Sequence, residues 1–234
     1  MWLGVWQIAA MCIAKEILLP TPAETFAALI SLAKTGEFYI SVLLSIVRIL
    51  SGYILGILFG VLGAVLAYNL SWFDAITSPI IKIIKSVPVA SFIILALVWI
   101  KSYNLPIFIC FLMVMPMIWS TVQSGLENID KKYLDLAKVY RFSKFKTFFS
   151  VKLPFILPAF VSTALTALGF AWKSGIAAEV ICRPENSIGN LLQEAKLYLI
   201  TPNVFALTAV VVALSMLIEY LVRRLLRRYT NDKY

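Results

Sequence analysis

Apolar runs long enough to cross a bilayer alternate along this chain with short polar breaks. Residues 41 to 68 form one run, interrupted only by Arg48, and 102 to 126, 153 to 172 and 197 to 218 carry no formal charge. A helix needs about 20 apolar residues to cross the hydrocarbon, so these four runs predict four spanning helices. Residues 86 to 100 make a shorter run between Lys85 and Lys101, with Pro88 in a first turn that tolerates proline. Met1 to Ala14 is apolar and aromatic without a positive start or a small-residue cleavage site, the pattern of a retained first helix rather than a removed signal peptide. Six spans are therefore expected.

Shorter patterns sit between and within the spans. Thr21-Pro22-Ala23-Glu24 has the layout of a capping box with proline at the first helical position. Phe26, Leu29, Ile30 and Leu32 then share one face until Gly36, which predicts an interfacial helix on the outer surface. Gly52, Gly56 and Gly60 repeat every four residues, a ridge that lets another helix approach closely. Trp99 and Trp172, near span ends, read as interfacial aromatics. After a turn-rich stretch, Arg183-Pro184-Glu185-Asn186-Ser187, Gly189 precedes a short amphipathic segment from Leu191 to Leu199.

One segment breaks the apolar pattern decisively. Between Asp130 and Pro158 the chain carries Lys131, Lys132, Lys138, Arg141, Lys144, Lys146 and Lys152 against only Asp130 and Asp135. Positive loops resist translocation, so this segment is expected on the cytoplasmic side. Tyr133, Leu134, Leu136, Val139 and Tyr140 recur in it at helical spacing, Ser143 can cap a second turn, and Phe145, Phe148 and Phe149 follow before Leu153-Pro154. A short amphipathic helix at the membrane face would offer apolar knobs to something in the cytoplasm, or lie on anionic headgroups.

Composition sets the class independently. With 61% hydrophobic residues, 14% charged and a mean hydropathy of +0.90, the chain is an integral membrane protein. A net charge of +9 would suggest a nucleic-acid ligand in a soluble protein. Here the cations fall between spans and at the C-terminus, so they act as topology determinants and no nucleic acid is expected. With the C-terminus inside, the inner face collects Lys82, Lys85, the central segment, Arg223, Arg224, Arg227, Arg228 and Lys233. The outer face holds Lys15, Lys34, Lys101, Lys173, Arg183 and Lys196. Both termini are then cytoplasmic if the number of helices is even.

Several chemistries are excluded or unsupported. There is no histidine for a His-ligated metal or His-based acid/base work, and Cys12, Cys110 and Cys182 are too scattered for a ligand pair or a disulfide framework. No Gly-rich phosphate loop ending in Gly-Lys-Ser/Thr is present, so the chain cannot cradle ATP in the usual way. Charges at membrane depth are costly and imply function by default, which singles out Arg48, Lys173 and Glu179. Lys173 lies about 30 Å along a helix starting at Leu153. It either snorkels at the outer interface or, if that helix starts below the membrane, pairs with Glu179 or faces the solute pathway.

The central segment resembles a known family. Asp135-Leu136-Ala137, three residues, Arg141, nine residues, then Val151-Lys152-Leu153-Pro154 is similar to the "EAA, three, G, nine, I-x-L-P" loop of ABC importer permeases. The letters depart where Asp135 replaces Glu, Leu136 replaces Ala and Arg141 replaces Gly. A glycine ending a helix serves a left-handed cap that costs a side chain about 1 kcal/mol, so a differently built turn is expected at Arg141. Leu19-Pro20-Thr21-Pro22, Ser45-Ile46-Val47-Arg48 with Gly52, Lys85-Ser86-Val87-Pro88, and Ala171-Trp172 with Ala178-Glu179 narrow the resemblance to the nitrate, sulfonate and taurine branch, from about Leu18 to Arg227.

That resemblance implies an all-α, six-transmembrane-helix type I ABC importer permease with a cytoplasmic coupling helix, in the bacterial cytoplasmic membrane. It divides the chain into a first transmembrane helix (1–19), an outer-face amphipathic helix (20–37), a core permease domain (38–228) containing the coupling loop (130–154), and a cytoplasmic tail (229–234). Tyr133, Leu134, Asp135, Leu136, Ala137, Val139, Tyr140, Arg141, Leu153 and Pro154 would couple to an ATPase. The implied partners are ABC ATPase subunits that bind ATP and Mg, an extracytoplasmic solute-binding protein, a second permease subunit (most simply an identical copy) and membrane lipid. The chain would hold no cofactor and no metal of its own. The 183–187 turn would meet the binding protein or merely connect two helices. The implied cargo is a small anion such as a sulfonate or nitrate. The alternative is a self-contained secondary transporter or channel whose basic loop binds lipid.

Overall fold

Each apolar run folds as helix, and the breaks fall where the chain supplies a cap or a proline. The computed structural model describes the backbone of residues 2–13 and 17–231 and the side chains of 4–13 and 17–225. Met1, Ala14, Lys15, Glu16 and 232–234, with Lys233 among them, lie outside the described residues, as do the side chains of Arg227 and Arg228. The first helix, α1, covers Trp2–Ile13 and α2 covers Pro22–Ala33. The capping box forms as expected: the Glu24 amide donates to Thr21 Oγ1 at 3.2 Å and the Thr21 amide to Glu24 Oε2 at 2.7 Å. Gly36 does not end a stretch of helix but begins the next, α3 (Gly36–Asn69).

α4 (Ser71–Ser86) and α5 (Val89–Ala96) replace the span expected over 86 to 100. They meet at 106°. The bend sits at Val87, which precedes Pro88 and is extended (φ −78°, ψ 130°), as steric conflict with a following proline ring requires. α6 (Leu105–Glu127) leads into α7 (Lys131–Val139) and the short α8 (Lys144–Thr147). A π turn, Phe148–Lys152, then runs without interruption into α9 (Leu153–Cys182). In it the Leu153 amide reaches back five residues to Phe148 O. Widening there relieves Pro154, which has no amide hydrogen to give and whose ring would press on the carbonyl four residues earlier. α10 (Ile188–Leu197) and α11 (Thr201–Asn231) complete the chain.

Among the described residues, four helical stretches are long and apolar enough to cross a membrane: Gly36–Asn69, Leu105–Glu127, Lys144–Cys182 and Thr201–Leu225. The bent pair of α4 and α5 makes a fifth if taken as one broken span. The twelve described residues of α1 extend about 18 Å, short of the roughly 30 Å hydrocarbon. Length and composition thus give four or five crossings among the described residues, against the six that the sequence pattern predicts.

The glycine ridge decides which helices meet. A Cβ on Gly56 would lie 2.6 Å from Val114 Cβ, and one on Gly60 2.8 Å from the Met115 carbonyl oxygen. Only bare backbone lets α3 and α6 come this close, and in lipid such close packing replaces the hydrophobic drive between helices. α9 lies against the same pair, burying Ala164, Ala167, Leu168 and Ala171. Tyr53 Oη donates to Ala164 O at 3.0 Å and Cys110 Sγ to Ala171 O at 3.2 Å, tying α3 and α6 to α9. Trp172 is not interfacial: it is buried, and its Nε1 donates to Val211 O at 3.1 Å in α11. Trp99 is 74% exposed beyond the end of α5.

Candidate functional site

Two sets of the singled-out residues form distinct structures at opposite ends of α9. At its C-terminal end, helical spacing puts Ser45 and Arg48 on one face of α3, opposite Glu179 in the last turn of α9. All three are fully buried. Ser45 Oγ donates to Glu179 Oε2 at 2.7 Å, and the Gly189 amide donates to the same oxygen at 3.3 Å. Arg48 Nη1 faces Glu179 Oε1 at 3.4 Å.

Arg48 also holds the 183–187 turn from beneath. Its Nη1 donates to Asn186 O at 3.1 Å and its Nη2 to Glu185 O at 3.0 Å, while its guanidinium stacks 4.5 Å from the Tyr103 ring centroid. The Ile188 amide donates to Ser45 Oγ at 3.0 Å. The turn itself bends at two left-handed residues, Arg183 and Asn186, each at φ 50°. Gly189 completes the knot by having no side chain, since a Cβ there would collide with Glu179 and lie 2.5 Å from the Val180 amide nitrogen. Apart from Arg48 Nε, which is buried without a hydrogen-bond partner, charge, hydroxyl and backbone groups are thereby paired in one compact set, which suits fixing α3, α9 and the turn together.

Lys173 takes no part. It is exposed on α9, away from the buried pair, so a Lys173 to Glu179 pairing is not formed and Arg48 is the partner instead. Sequence pattern alone singled out both buried charges but not their pairing, nor Gly189 and the carbonyls of Glu185 and Asn186.

At the other end of α9 stands the basic segment. Asp130 caps α7 by accepting from the Lys132 amide at 2.9 Å, and Ser143 caps α8 through the Lys146 amide at 3.2 Å. The face of α7 is divided. Leu134 packs on the main core and Ala137 is buried, whereas Tyr133, Leu136, Val139 and Tyr140 are 56%, 55%, 77% and 67% exposed. Asp135 is exposed and pairs with Lys138 at 2.9 Å. Phe145, 74% exposed, packs against Phe149 with centroids 4.5 Å apart and the rings tilted by 45°. Leu153 is half-buried and Pro154 exposed where the segment rejoins α9.

The turn at Arg141 is built as a glycine would build it. Arg141 is left-handed at φ 51°. Its amide donates to Lys138 O at 2.9 Å, and the Phe142 amide to Ala137 O at 2.9 Å. These two bonds make a Schellman cap, so the sequence-based expectation of a different turn is wrong: the arginine accepts the strain.

Residues 52–231 match the family model of the binding-protein-dependent transport system inner membrane component. The chain belongs to this family. It is therefore an ABC transporter permease, a transport subunit and not an enzyme, in a multi-pass inner-membrane protein whose family works with ATPase and solute-binding partners. Among relatives, the taurine transport system permease protein TauC of Escherichia coli is 24% identical, over 96% of this chain and 84% of its own. A probable ABC transporter permease protein of Brucella melitensis is 24% identical, over 98% and 92%. The bicarbonate transport system permease protein CmpB of Synechocystis is 31% identical, over 65% and 55%. The fold is shared with a crystal structure of an amino acid ABC transporter (TM-score 0.69, 13% identity, covering 87% of this chain and 98% of that one). It is also shared with the MetNI methionine ABC transporter in inward-facing form (TM-score 0.60, 19% identity, 81% and 93%).

Proposed function

We propose that two copies of this chain form the membrane-spanning part of an importer for a small oxyanion, such as a sulfonate, nitrate or bicarbonate. A solute-binding protein delivers the cargo and separate ATPase subunits, holding ATP and Mg, drive the cycle. The observation that carries the reading is α7: a helix capped at both ends that shows Tyr133, Leu136, Val139 and Tyr140 to the outside while Leu134 and Ala137 grip the bundle. Apolar knobs on a helix flanked by exposed lysines fit a protein groove better than water. Asp135, Arg141, Leu153 and Pro154 support the knob through the Lys138 pair, the left-handed cap and the return into α9. The cargo class rests on the relatives named for taurine, aliphatic sulfonates and bicarbonate.

On this reading the basic segment and the C-terminal end of α11 face the cytoplasm, and the 183–187 turn faces the binding protein. Counting α1 as a crossing, beside the bent pair of α4 and α5, brings the number to six and puts the N-terminus inside as well. The test is co-isolation with the ATPase subunit. Leu136→Arg and Val139→Glu should abolish it, and ATP-driven uptake with it, at unchanged levels of folded permease. Uptake by the chain alone in liposomes, or ATPase capture indifferent to both changes, would refute the proposal.

A further inference from the structure

The two buried charges expected to touch solute are occupied by each other, so the polar surface that meets the cargo must lie elsewhere. One concavity at membrane depth is polar. A groove of about 650 Å³ runs between α6 and α9, lined by Ser120, Thr121, Ser124, Asn128, Ser162 and Thr163 over a floor of Gly125 and Ala159. Two other cavities, by contrast, are lined almost wholly by apolar side chains. Ser120 lies about 10 Å before the end of α6, and Ser162 about 14 Å into α9. Both are inside the spanning stretches, in the half nearer α7.

Some of these groups already have partners, Ser120 Oγ among them, which donates to Pro116 O at 2.9 Å. Thr121 and Thr163 bond each other across the helices at 3.0 Å, and Asn128 turns back on Ser124 at 2.8 and 3.1 Å. Ser124, Asn128 and Ser162 remain exposed. Hydrocarbon cannot satisfy hydroxyl and amide groups, so polar side chains at this depth face protein or a water-filled cavity. The room in the groove and the small floor beneath it favour water.

Lys85, in the last turn of α4, reaches the rim and donates to Ser120 Oγ. Among the described residues it has no carboxylate partner within ion-pair distance. Two acids near the same helices are engaged elsewhere: Gln123 Nε2 on α6 donates to Asp74 Oδ1 in α4 at 2.9 Å and to Glu127 Oε1 at 3.0 Å. They hold an amide between them, while the ammonium of Lys85 is turned to the hydroxyls.

We propose that this groove is a wall of the water-filled solute path, and that a small oxyanion passes along its hydroxyl and amide donors with Lys85 as the local cation. The inference rests on the importer reading and names the residues that would carry its cargo.

The experiment uses the whole transporter in vesicles, with the exposed Cys12 replaced by Ser. Ser124→Cys and Ser162→Cys are compared with Val212→Cys, an exposed apolar position on α11. Each is treated with two thiol-reactive methanethiosulfonates, one bearing a sulfonate and one a trimethylammonium group. Both groove cysteines should react at least about tenfold faster than the α11 cysteine, and faster with the sulfonate probe. Lys85→Gln should lower the sulfonate-to-ammonium rate ratio by about tenfold, since one charge about 6 Å away shifts each probe about threefold even at water's dielectric. Groove cysteines as slow as the α11 position would overturn the water-filled wall, and a ratio unmoved by Lys85→Gln would overturn the role of the lysine. ATPase co-isolation is scored in parallel: its absence from the unsubstituted chain sinks the importer reading, whereas shielded groove cysteines with co-isolation intact sink only this inference.

Discussion

Removing either partner of the Arg48–Glu179 pair should cost far more than removing both. With Arg48→Met, a carboxylate of zero exposure keeps only Ser45 and Gly189 as donors, and the carbonyls of Glu185 and Asn186 lose theirs. With Glu179→Leu, a guanidinium 2% exposed at its side chain is left with two carbonyls and a tyrosine ring. Stranding one charge of a buried pair costs about 3 to 5 kcal/mol, while an apolar replacement of the whole pair is often nearly neutral. The double variant Arg48→Met/Glu179→Leu should therefore recover several kcal/mol relative to the sum of the singles, apart from the two orphaned carbonyls. The assay is thermal unfolding in detergent, read by the appearance of the buried thiols of Cys110 and Cys182 to a maleimide dye. At about 2 to 4 °C per kcal/mol for a chain of this size, each single change should lower the midpoint by about 6 to 20 °C. Additive effects, or single losses below about 1 kcal/mol, would mean that the pair does not hold the 183–187 turn to α3 and α9.

Two other changes follow from close geometry. Gly56→Leu should force α3 from α6, because even its Cβ would stand 2.6 Å from Val114 Cβ; a cost of at least about 1 to 3 kcal/mol should show as a lower thermal midpoint and reduced yield. Arg141→Gly should act the other way, relieving a left-handed side chain and stabilising the end of α7 by about 1 kcal/mol. Slower amide exchange at Arg141 and Phe142 would show it, with ATPase co-isolation retained.

What was readable in the chain follows from how local each cause is. The capping box at Thr21 and the Gly52, Gly56, Gly60 ridge announce themselves within a few residues, and the structure uses both as their spacing implies. The helix α4 was not legible from span-length runs, because Pro79, Lys82 and Lys85 interrupt its apolar residues. It needed helical periodicity rather than length. Glu179 and Arg48 were visible as charges at membrane depth, yet their pairing spans 131 positions of sequence and only the packing of α3 on α9 reveals it. At Arg141 residue identity misled: the two hydrogen bonds of the cap outweigh the modest strain of a side chain in that conformation.

The placement of rigidity explains how such a chain could be worked from one end. Bare-backbone contacts fuse α3 to α6, hydrogen bonds from Tyr53 and Cys110 fasten both to α9, and the Arg48 knot locks the far end of α9 to the 183–187 turn. The looser joints are at the opposite end, where the π turn of Phe148–Lys152 joins α8 to α9 beside an apolar cavity of about 140 Å³ that Phe148 lines. A push on α7 would pass through Leu134 and Phe148 into the bases of α3, α6 and α9 together. Because close-packed helices move as blocks rather than deform, the displacement would arrive at the α6–α9 groove and the 183–187 turn as a rotation of the whole subunit. On the proposed reading, that motion against a second copy opens and closes the path.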